Sequence, residues 1–167
     1  MNVERPDTDA ADAIADLWVD LAEEQRDVGS HLRAAENRDT IGENVRRAIV
    51  ADGLYVAVAE PDDEFDAEPG AVLGFVMFSA GSELLATTST RGTIENLYVR
   101  PEYRDRGIGG ELIGVAEEKL AVRGVDAVKL EVLAANEAAR RFYRRQGYDP
   151  HRVQLEKSVE SDNHSKG

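Results

Sequence analysis

The stretch YRDRGIGGEL, residues 103–112, places two arginines and three glycines where a strand-like run gives way to a helix-like run. Glycine costs backbone entropy there, so the turn indicates that something must approach the bare backbone. Successive N–H groups at a helix N-terminus form a concavity that binds phosphate groups, and the helix dipole and the arginine charge favour the same anion. The stretch therefore predicts a phosphate-binding turn.

Three phosphate-binding patterns compete for this turn. A Rossmann fingerprint, G-x-G-x-x-G, fits Gly107 and Gly109, but its third glycine falls on Leu112. A Walker loop requires lysine at the position that Val115 holds. The third pattern, [R/Q]-x-x-G-x-[G/A], is complete from Arg104 onward. Because that pattern is short, the sequence on either side of it must decide which kind of binding site the turn belongs to.

Those flanks are IENLYVRPEYRDRGIGGELI and VKLEVLAANEAARRFYRRQGY, and together they resemble the GNAT superfamily of acyl-CoA-dependent N-acyltransferases. The resemblance is specific over residues 93–148 and loose before them. It implies a fold of the α/β (α+β) class, with a single mixed, mostly antiparallel sheet flanked by helices. Strands four and five of this sheet form a V-shaped splay, into which the pantetheine arm of the acyl-CoA inserts in the family.

The resemblance also implies which residues bind acetyl-CoA. The backbone of Leu97, Tyr98 and Val99 is expected to pair with the pantetheine, and Asn136 is expected to open the following helix and touch the same arm. The pyrophosphate is assigned to the glycine turn, which consists of Arg104, Asp105, Arg106, Gly107, Ile108, Gly109 and Gly110. The 3′-phosphate is left to arginines of the helix after Asn136, although a solvated helix face explains them equally well.

Acyl transfer to an amine requires a neutral amine, a stabilised oxyanion and a proton for the departing thiolate. The resemblance implies a backbone N–H of residues 96–99 as the oxyanion donor and the Tyr143 hydroxyl as the proton donor. An aromatic ring that only anchors a short helix is the alternative for Tyr143. Glu95 is the candidate base, acting through water, and is expected to share one strand face with Leu97 and Val99. Binding of a cationic acceptor, or pairing with an arginine, is the alternative role for Glu95.

Cofactor chemistry is further restricted by composition. The chain has no cysteine, so an acetylated cysteine intermediate and thiolate metal sites are excluded, and direct transfer in a ternary complex is expected. Its three histidines, at positions 31, 151 and 164, have no metal-site spacing, and we expect no metal. Trp18 lies on an apolar helical face and is expected in the core.

We therefore expect an N-acetyltransferase that transfers the acetyl group of acetyl-CoA directly to a primary amine. The acceptor is either a small molecule or a protein, and its pocket is expected from residues 8–52 and 81–92. A non-catalytic acyl-CoA-binding or sensory module with the same fold is the alternative. A homodimer is compatible with either function.

The net charge of −13 argues against binding to nucleic acid or to an acidic membrane surface, both of which require a basic face. The acid-rich surface contains only four lysines, a composition typical of proteins from salt-loving organisms. Neither a membrane-spanning run nor a signal pattern is found, which favours a cytoplasmic protein.

Residues 1–160 are predicted to form one domain, followed by a flexible tail over 161–167. Four helices are expected: from about residue 9, from about Asp39, from the glycine turn to about Arg123, and over residues 136–147. Helical spacing predicts that the first three bury one apolar face each. The predicted buried residues are Ile14, Leu17, Trp18 and Leu21 in the first helix, Ile41, Val45 and Ile49 in the second, and Ile108, Leu112, Ala116 and Leu120 in the third. Strands are expected over residues 3–6, 53–60, 71–80, 93–101, 126–134 and 152–159.

Overall fold

The computed structural model describes residues 1–81 and 87–160. Residues 82–86 of the expected acceptor loop (81–92) and the expected tail at 161–167 lie outside the described residues. The strands are β1 (Asn2–Glu4), β2 (Leu54–Val58), β3 (Val72–Ser79), β4 (Arg91–Val99) and β5 (Ala127–Leu130), and the helices are α1 (Ala11–Arg26), α2 (Arg38–Val50), α3 (Ile108–Val122) and α4 (Glu137–Arg145).

The five strands form one sheet in the order β1-β2-β3-β4-β5. The first four strands pair antiparallel, whereas β5 pairs parallel to β4. Parallel neighbours require a crossover connection, and α3 forms the helix of that crossover. A single mixed sheet flanked by helices confirms the expected fold class. Gly74 of β3 is required by this sheet, since a side chain there would collide with the Tyr98 carbonyl oxygen of β4.

Two apolar clusters cover the two faces of the sheet. One joins α1 and α2 to the sheet and includes Trp18, Val45 and Tyr98. The other is built on α3 and includes Leu112, with Tyr143 of α4 packed against it. The apolar positions that helical spacing predicted are buried in α1 and α3, while in α2 two are buried and Ile41 is partly buried. The two clusters thus fix α2 and α3 on opposite sides of β4.

The predicted last strand over residues 152–159 is wrong, because the segment forms no regular element. Its alternating apolar side chains remain exposed, at 76% for Val153, 89% for Leu155 and 90% for Val159. An alternating sequence becomes a strand only when a neighbouring backbone accepts its hydrogen bonds, and β5 pairs with no described strand but β4. β5 itself covers only Ala127–Leu130 of the predicted 126–134. At the N-terminus, Thr8 and Asp9 belong to a short 3-10 helix, so α1 begins at Ala11 rather than at about residue 9.

Candidate active site

The second half of β4 has an open edge. Pairing with β5 ends at Ile94, which lies opposite Leu130, while β4 continues to Val99. The Arg100 N–H donates to the Leu73 carbonyl on the β3 side. Because backbone groups alternate along a strand, the N–H groups of Leu97 and Val99 point to the opposite, open side. This one-sided segment is the predicted splay, and it presents the donors that an extended ligand arm requires.

A β-bulge places Glu95. Met77 of β3 lies opposite Asn96 and the next residue, Phe78, lies opposite Ile94, so Glu95 is an extra residue without a partner. A bulge breaks the period-two alternation and re-aims the side chain. The expectation that Glu95 shares a face with Leu97 and Val99 is therefore wrong.

The redirected Glu95 side chain is exposed and lines a cleft with residues of α2. Leu97 and Val99, by contrast, pack on the α3 side. The carboxylate is thus open to solvent and to an incoming acceptor, rather than enclosed among apolar side chains. Glu95 and the open segment of Leu97 and Val99 are therefore neighbours in β4, but the Glu95 side chain lies on the α2 side of the sheet and the side chains of Leu97 and Val99 lie on the α3 side.

The turn before α3 has a backbone conformation that leaves several N–H groups unpaired. Asp105 and Gly107 both have left-handed backbone conformations, with φ of 63° and 87°. The N–H groups of residues 105–110 have no acceptor among the described residues, and no side chain caps α3. Consecutive unpaired N–H groups around left-handed residues at a helix N-terminus are the arrangement that binds phosphate oxygens. The residues present therefore fit a pyrophosphate.

Arg104 is already engaged by protein groups. Its Nη2 donates to both carboxylate oxygens of Glu24 in α1, at 3.0 and 2.9 Å, and its Nε donates to the Val99 carbonyl at 2.7 Å. Its guanidinium also lies 5.4 Å from the centre of the Tyr98 ring. The backbone of the turn is thus available to an anion, but the Arg104 charge is shared with a carboxylate.

The nearby Arg106 guanidinium lies 5.5 Å from the centre of the Phe65 ring. No salt bridge joins Arg106 to a carboxylate among residues 1–81 and 87–160. Arg106 therefore contributes positive potential beside the turn, whereas Glu24 partly neutralises the charge of Arg104.

Gly109 and Gly110 are needed for helix packing as well as for the turn. A Cβ added to Gly109 would lie 3.0 Å from Cζ of Phe142 in α4, and one added to Gly110 would lie 3.3 Å from Nε2 of Gln146. Gly107 has open space around it but requires glycine for its positive φ. One glycine thus sets the turn, and the next two let α4 approach α3.

Tyr143 is half-buried in α4, and burial raises its pKa to about 12. Its ring packs edge-on against Phe142 and Tyr148, with centroids 5.2 and 6.1 Å away. The Tyr148 hydroxyl in turn donates to Oε2 of Glu117 in α3, at 2.8 Å. The Tyr143 hydroxyl has no hydrogen-bond partner in the described part of the chain, so it keeps its proton and is available to an added ligand.

Asn136 caps α4, as predicted. Its Oδ1 accepts from the Ala139 N–H at 3.1 Å, which leaves the side-chain amide to donate elsewhere. Gly147 ends the helix with a φ of 95°, as expected for a glycine after a helix C-terminus.

Sequence reasoning missed the partners of these residues. Glu24 contacts Arg104 across 80 positions of sequence, and Tyr148 contacts Glu117 across 31. No local spacing carries such information, because both contacts arise only when helices dock. The bulge at Glu95 left no sequence signal either.

Over residues 1–81 and 87–160, no helix is long and apolar enough to cross a membrane, and no cluster of three or more histidine, aspartate or glutamate side chains has the arrangement of a metal site.

The chain is similar in sequence to a known family and to a relative from an archaeon. The sequence pattern of the Acetyltransferase (GNAT) family matches residues 14–148. A relative from Archaeoglobus fulgidus, named an uncharacterized N-acetyltransferase, is 29% identical over 151 residues, and the match covers 86% of this chain and 89% of the relative.

Two solved structures show the same fold. A mutant of the BH1408 protein from Bacillus halodurans superimposes with a TM-score of 0.76 at 18% identity, covering 95% of this chain and 99% of the other. The aminoglycoside N-acetyltransferase AAC(6′)-Iy, solved in complex with CoA, superimposes with a TM-score of 0.63 at 15% identity, covering 95% and 94%. With the family pattern matched over most of its length, the chain belongs to the acetyltransferase (GNAT) family.

Proposed function

We propose that the protein is an N-acetyltransferase that transfers the acetyl group of acetyl-CoA directly to a primary amine. The observation that carries this proposal is the open edge of β4, which follows the bulge at Glu95 and leads through the glycine turn to the uncapped N-terminus of α3. Leu97, Val99 and Tyr143 pack against the same apolar cluster. The CoA in the AAC(6′)-Iy structure supports the same class of cosubstrate.

Acetyl-CoA would be held by three groups of this chain. The N–H groups of residues 105–110 would bind its pyrophosphate, and the open backbone of Leu97 and Val99 would pair with its pantetheine. The side-chain amide of Asn136 would donate to the same arm. When bound, acetyl-CoA supplies an acetyl thioester, whose acetyl group passes to the amine nitrogen as the C–S bond breaks, giving an amide and the CoA thiol.

The remaining chemistry is proton transfer and charge stabilisation by the chain. Glu95 would accept a proton from the acceptor ammonium, through water, so that a neutral amine is present at the β4 edge. A backbone N–H of Leu97 or Val99 would donate to the oxygen that gains negative charge. The Tyr143 hydroxyl would supply the proton that the leaving sulfur requires, since a pKa of about 12 keeps it protonated at neutral pH.

Turnover distinguishes this proposal from a non-catalytic acyl-CoA-binding module. Protein incubated with acetyl-CoA and a panel of primary amines should release CoA thiol in proportion to an N-acetylated product detected by mass spectrometry. The chain has no cysteine, so a thiol reagent reports only CoA. Tight binding of acetyl-CoA without product formation for any amine would favour the binding module.

A further inference from the structure

The cleft that Glu95 lines has a volume of about 440 Å³ and lies beside the second half of α2 and the end of β3. Small-molecule sites in proteins begin at roughly 300 Å³, so the cleft suits a small acceptor. Its lining is apolar or glycine apart from five polar side chains, which are Asn44, Arg47, Ser79, Glu95 and Arg123.

The cleft has an excess of positive charge, whereas the chain as a whole has an excess of negative charge. Acidic residues outnumber basic ones by 33 to 20 in the whole protein, yet the cleft has two arginines and one carboxylate. A site for a purely cationic amine would be expected to keep the acidic excess, since complementary charge selects a ligand. The arginines therefore indicate a ligand that carries a negative group as well as an amine.

Arg47 has a charge that the described chain does not neutralise. The other two arginines of α2 each pair with an aspartate of α1: Arg38 with Asp16 at 2.7 Å and Arg46 with Asp12 at 3.0 Å. Arg47 instead donates to the neutral Oδ1 of Asn44 at 2.6 Å and has no carboxylate partner in the described residues. This contact orients its guanidinium and leaves the charge for a ligand.

Arg123 is more fully occupied. Its Nη2 donates to the carbonyl oxygen of Asp52 and lies 3.4 Å from Oδ2 of the same residue, and its guanidinium lies 5.6 Å from the centre of the Phe78 ring. A hydrogen bond from the Tyr55 hydroxyl lowers the pKa of Asp52, which keeps this partner ionised. Arg123 thus supports the positive potential of the cleft, while Arg47 is the free anchor.

We propose that the acceptor is a small amine that also carries a carboxylate, with its ammonium on Glu95 and its carboxylate on Arg47. A planar guanidinium binds a carboxylate through two parallel hydrogen bonds, which orients the ligand as well as attracting it. The inference rests on the proposed N-acetyl transfer and names the class of substrate for it.

Matched amine pairs test this assignment. Acetylation of glycine, L-alanine and β-alanine is compared with that of their carboxamides, using CoA thiol release by the wild type, Arg47→Gln and Arg46→Gln. Arg46 is the control, because it neighbours Arg47 in α2 but pairs with Asp12 outside the cleft. Saturation-transfer NMR of the same amines with the CoA-saturated protein measures binding independently of turnover.

The wild type should prefer at least one carboxylate over its carboxamide. Arg47→Gln should lower the ratio of the two kcat/KM values by about 10-fold or more, as loss of a charged hydrogen bond requires, and Arg46→Gln should keep it. Three results with protein that binds acetyl-CoA would overturn the acceptor class alone. They are equal use of an amino acid and its carboxamide, preference for the carboxamides, and neither turnover nor binding of any of the carboxylates. Failure to bind acetyl-CoA would overturn the proposed transfer with it.

Discussion

Arg104 donates from Nη2 to both carboxylate oxygens of Glu24, and this pair joins the glycine turn to α1. The same guanidinium also donates to the carbonyl of Val99, at the open end of β4. One side chain therefore connects the turn that is proposed to bind the pyrophosphate, the strand that is proposed to bind the pantetheine, and α1. An anion arriving at the turn meets a guanidinium that a carboxylate already partly neutralises.

Replacing the two members of this pair one at a time should have opposite effects on acetyl-CoA affinity. Glu24→Gln should tighten acetyl-CoA binding several-fold, because it removes a negative charge near the pyrophosphate and releases Arg104. Arg104→Gln should weaken binding. Stability should change by less than about 1 kcal/mol in each case, since both side chains are partly exposed. Calorimetric Kd values at low and high salt measure the effect, and equal weakening in both variants would show that the pair acts only by holding the turn in place.

Gly109 should be replaceable only at the expense of helix packing. A valine there would begin 3.0 Å from the Phe142 ring, so Gly109→Val should lower the free energy of unfolding by about 1–3 kcal/mol as α4 is displaced. Gly114 lies in the same helix with open space around its Cα, and Gly114→Ala should instead stabilise by about 0.5–1 kcal/mol. Urea unfolding of both variants measures the difference, and a neutral Gly109→Val would contradict the observed contact between α3 and α4.

Glu95→Gln separates the two roles of this carboxylate. If Glu95 accepts the proton, kcat should fall by about 10²–10⁴-fold with little change in the Kd for acetyl-CoA. Glu68→Gln, at an exposed carboxylate in the loop before β3, is the control and should retain activity. A raised acceptor KM with an unchanged kcat would contradict the role as base and leave Glu95 with the binding of the acceptor ammonium alone.

Tyr143→Phe should lower kcat far more than it weakens acetyl-CoA binding, because the proposed proton donor is lost while the ring packing is kept. Tyr103→Phe, which removes a hydroxyl 3.4 Å from the Asp66 carbonyl, is the matched control. An equal loss of kcat and of binding would return Tyr143 to a packing role.

The same variant has a signature in stability. Tyr143 titrates near pH 10 when unfolded and at about 12 when folded, so between these values the unfolded state binds fewer protons. Stability from this residue is present below pH 10 and is lost as the pH rises towards 12. The pH dependence of unfolding above pH 10 should thus be shallower in Tyr143→Phe, whereas an unchanged slope would show that the hydroxyl is not desolvated.

Local patterns predicted most of the fold because they report local physics. Helical spacing placed Trp18 and Leu112 in the core, and residue types at helix ends placed Asn136 and Gly147. The glycine turn was found because left-handed backbone and close approach both require glycine, although the contact of Gly109 with Phe142 gave that residue a second reason to be glycine.

What the sequence could not supply was set by contacts between distant segments. The bulge at Glu95 depends on how β3 and β4 fit together, and the pairing of Arg104 with Glu24 depends on where α1 docks. The alternation of Val153 and Leu155 is a strand pattern without a partner strand among the described residues. The possible homodimer stays a prediction.

Calorimetric titration of acetyl-CoA, with ATP and NAD as comparison ligands, tests whether the glycine turn and the open edge of β4 form an acyl-CoA site. We expect 1:1 binding of acetyl-CoA at micromolar Kd, weakened by Arg104→Gln, and no comparable binding of ATP or NAD. Failure of the folded protein to bind acetyl-CoA, or binding of ATP or NAD with equal affinity, would contradict an acyl-CoA site at the open edge of β4.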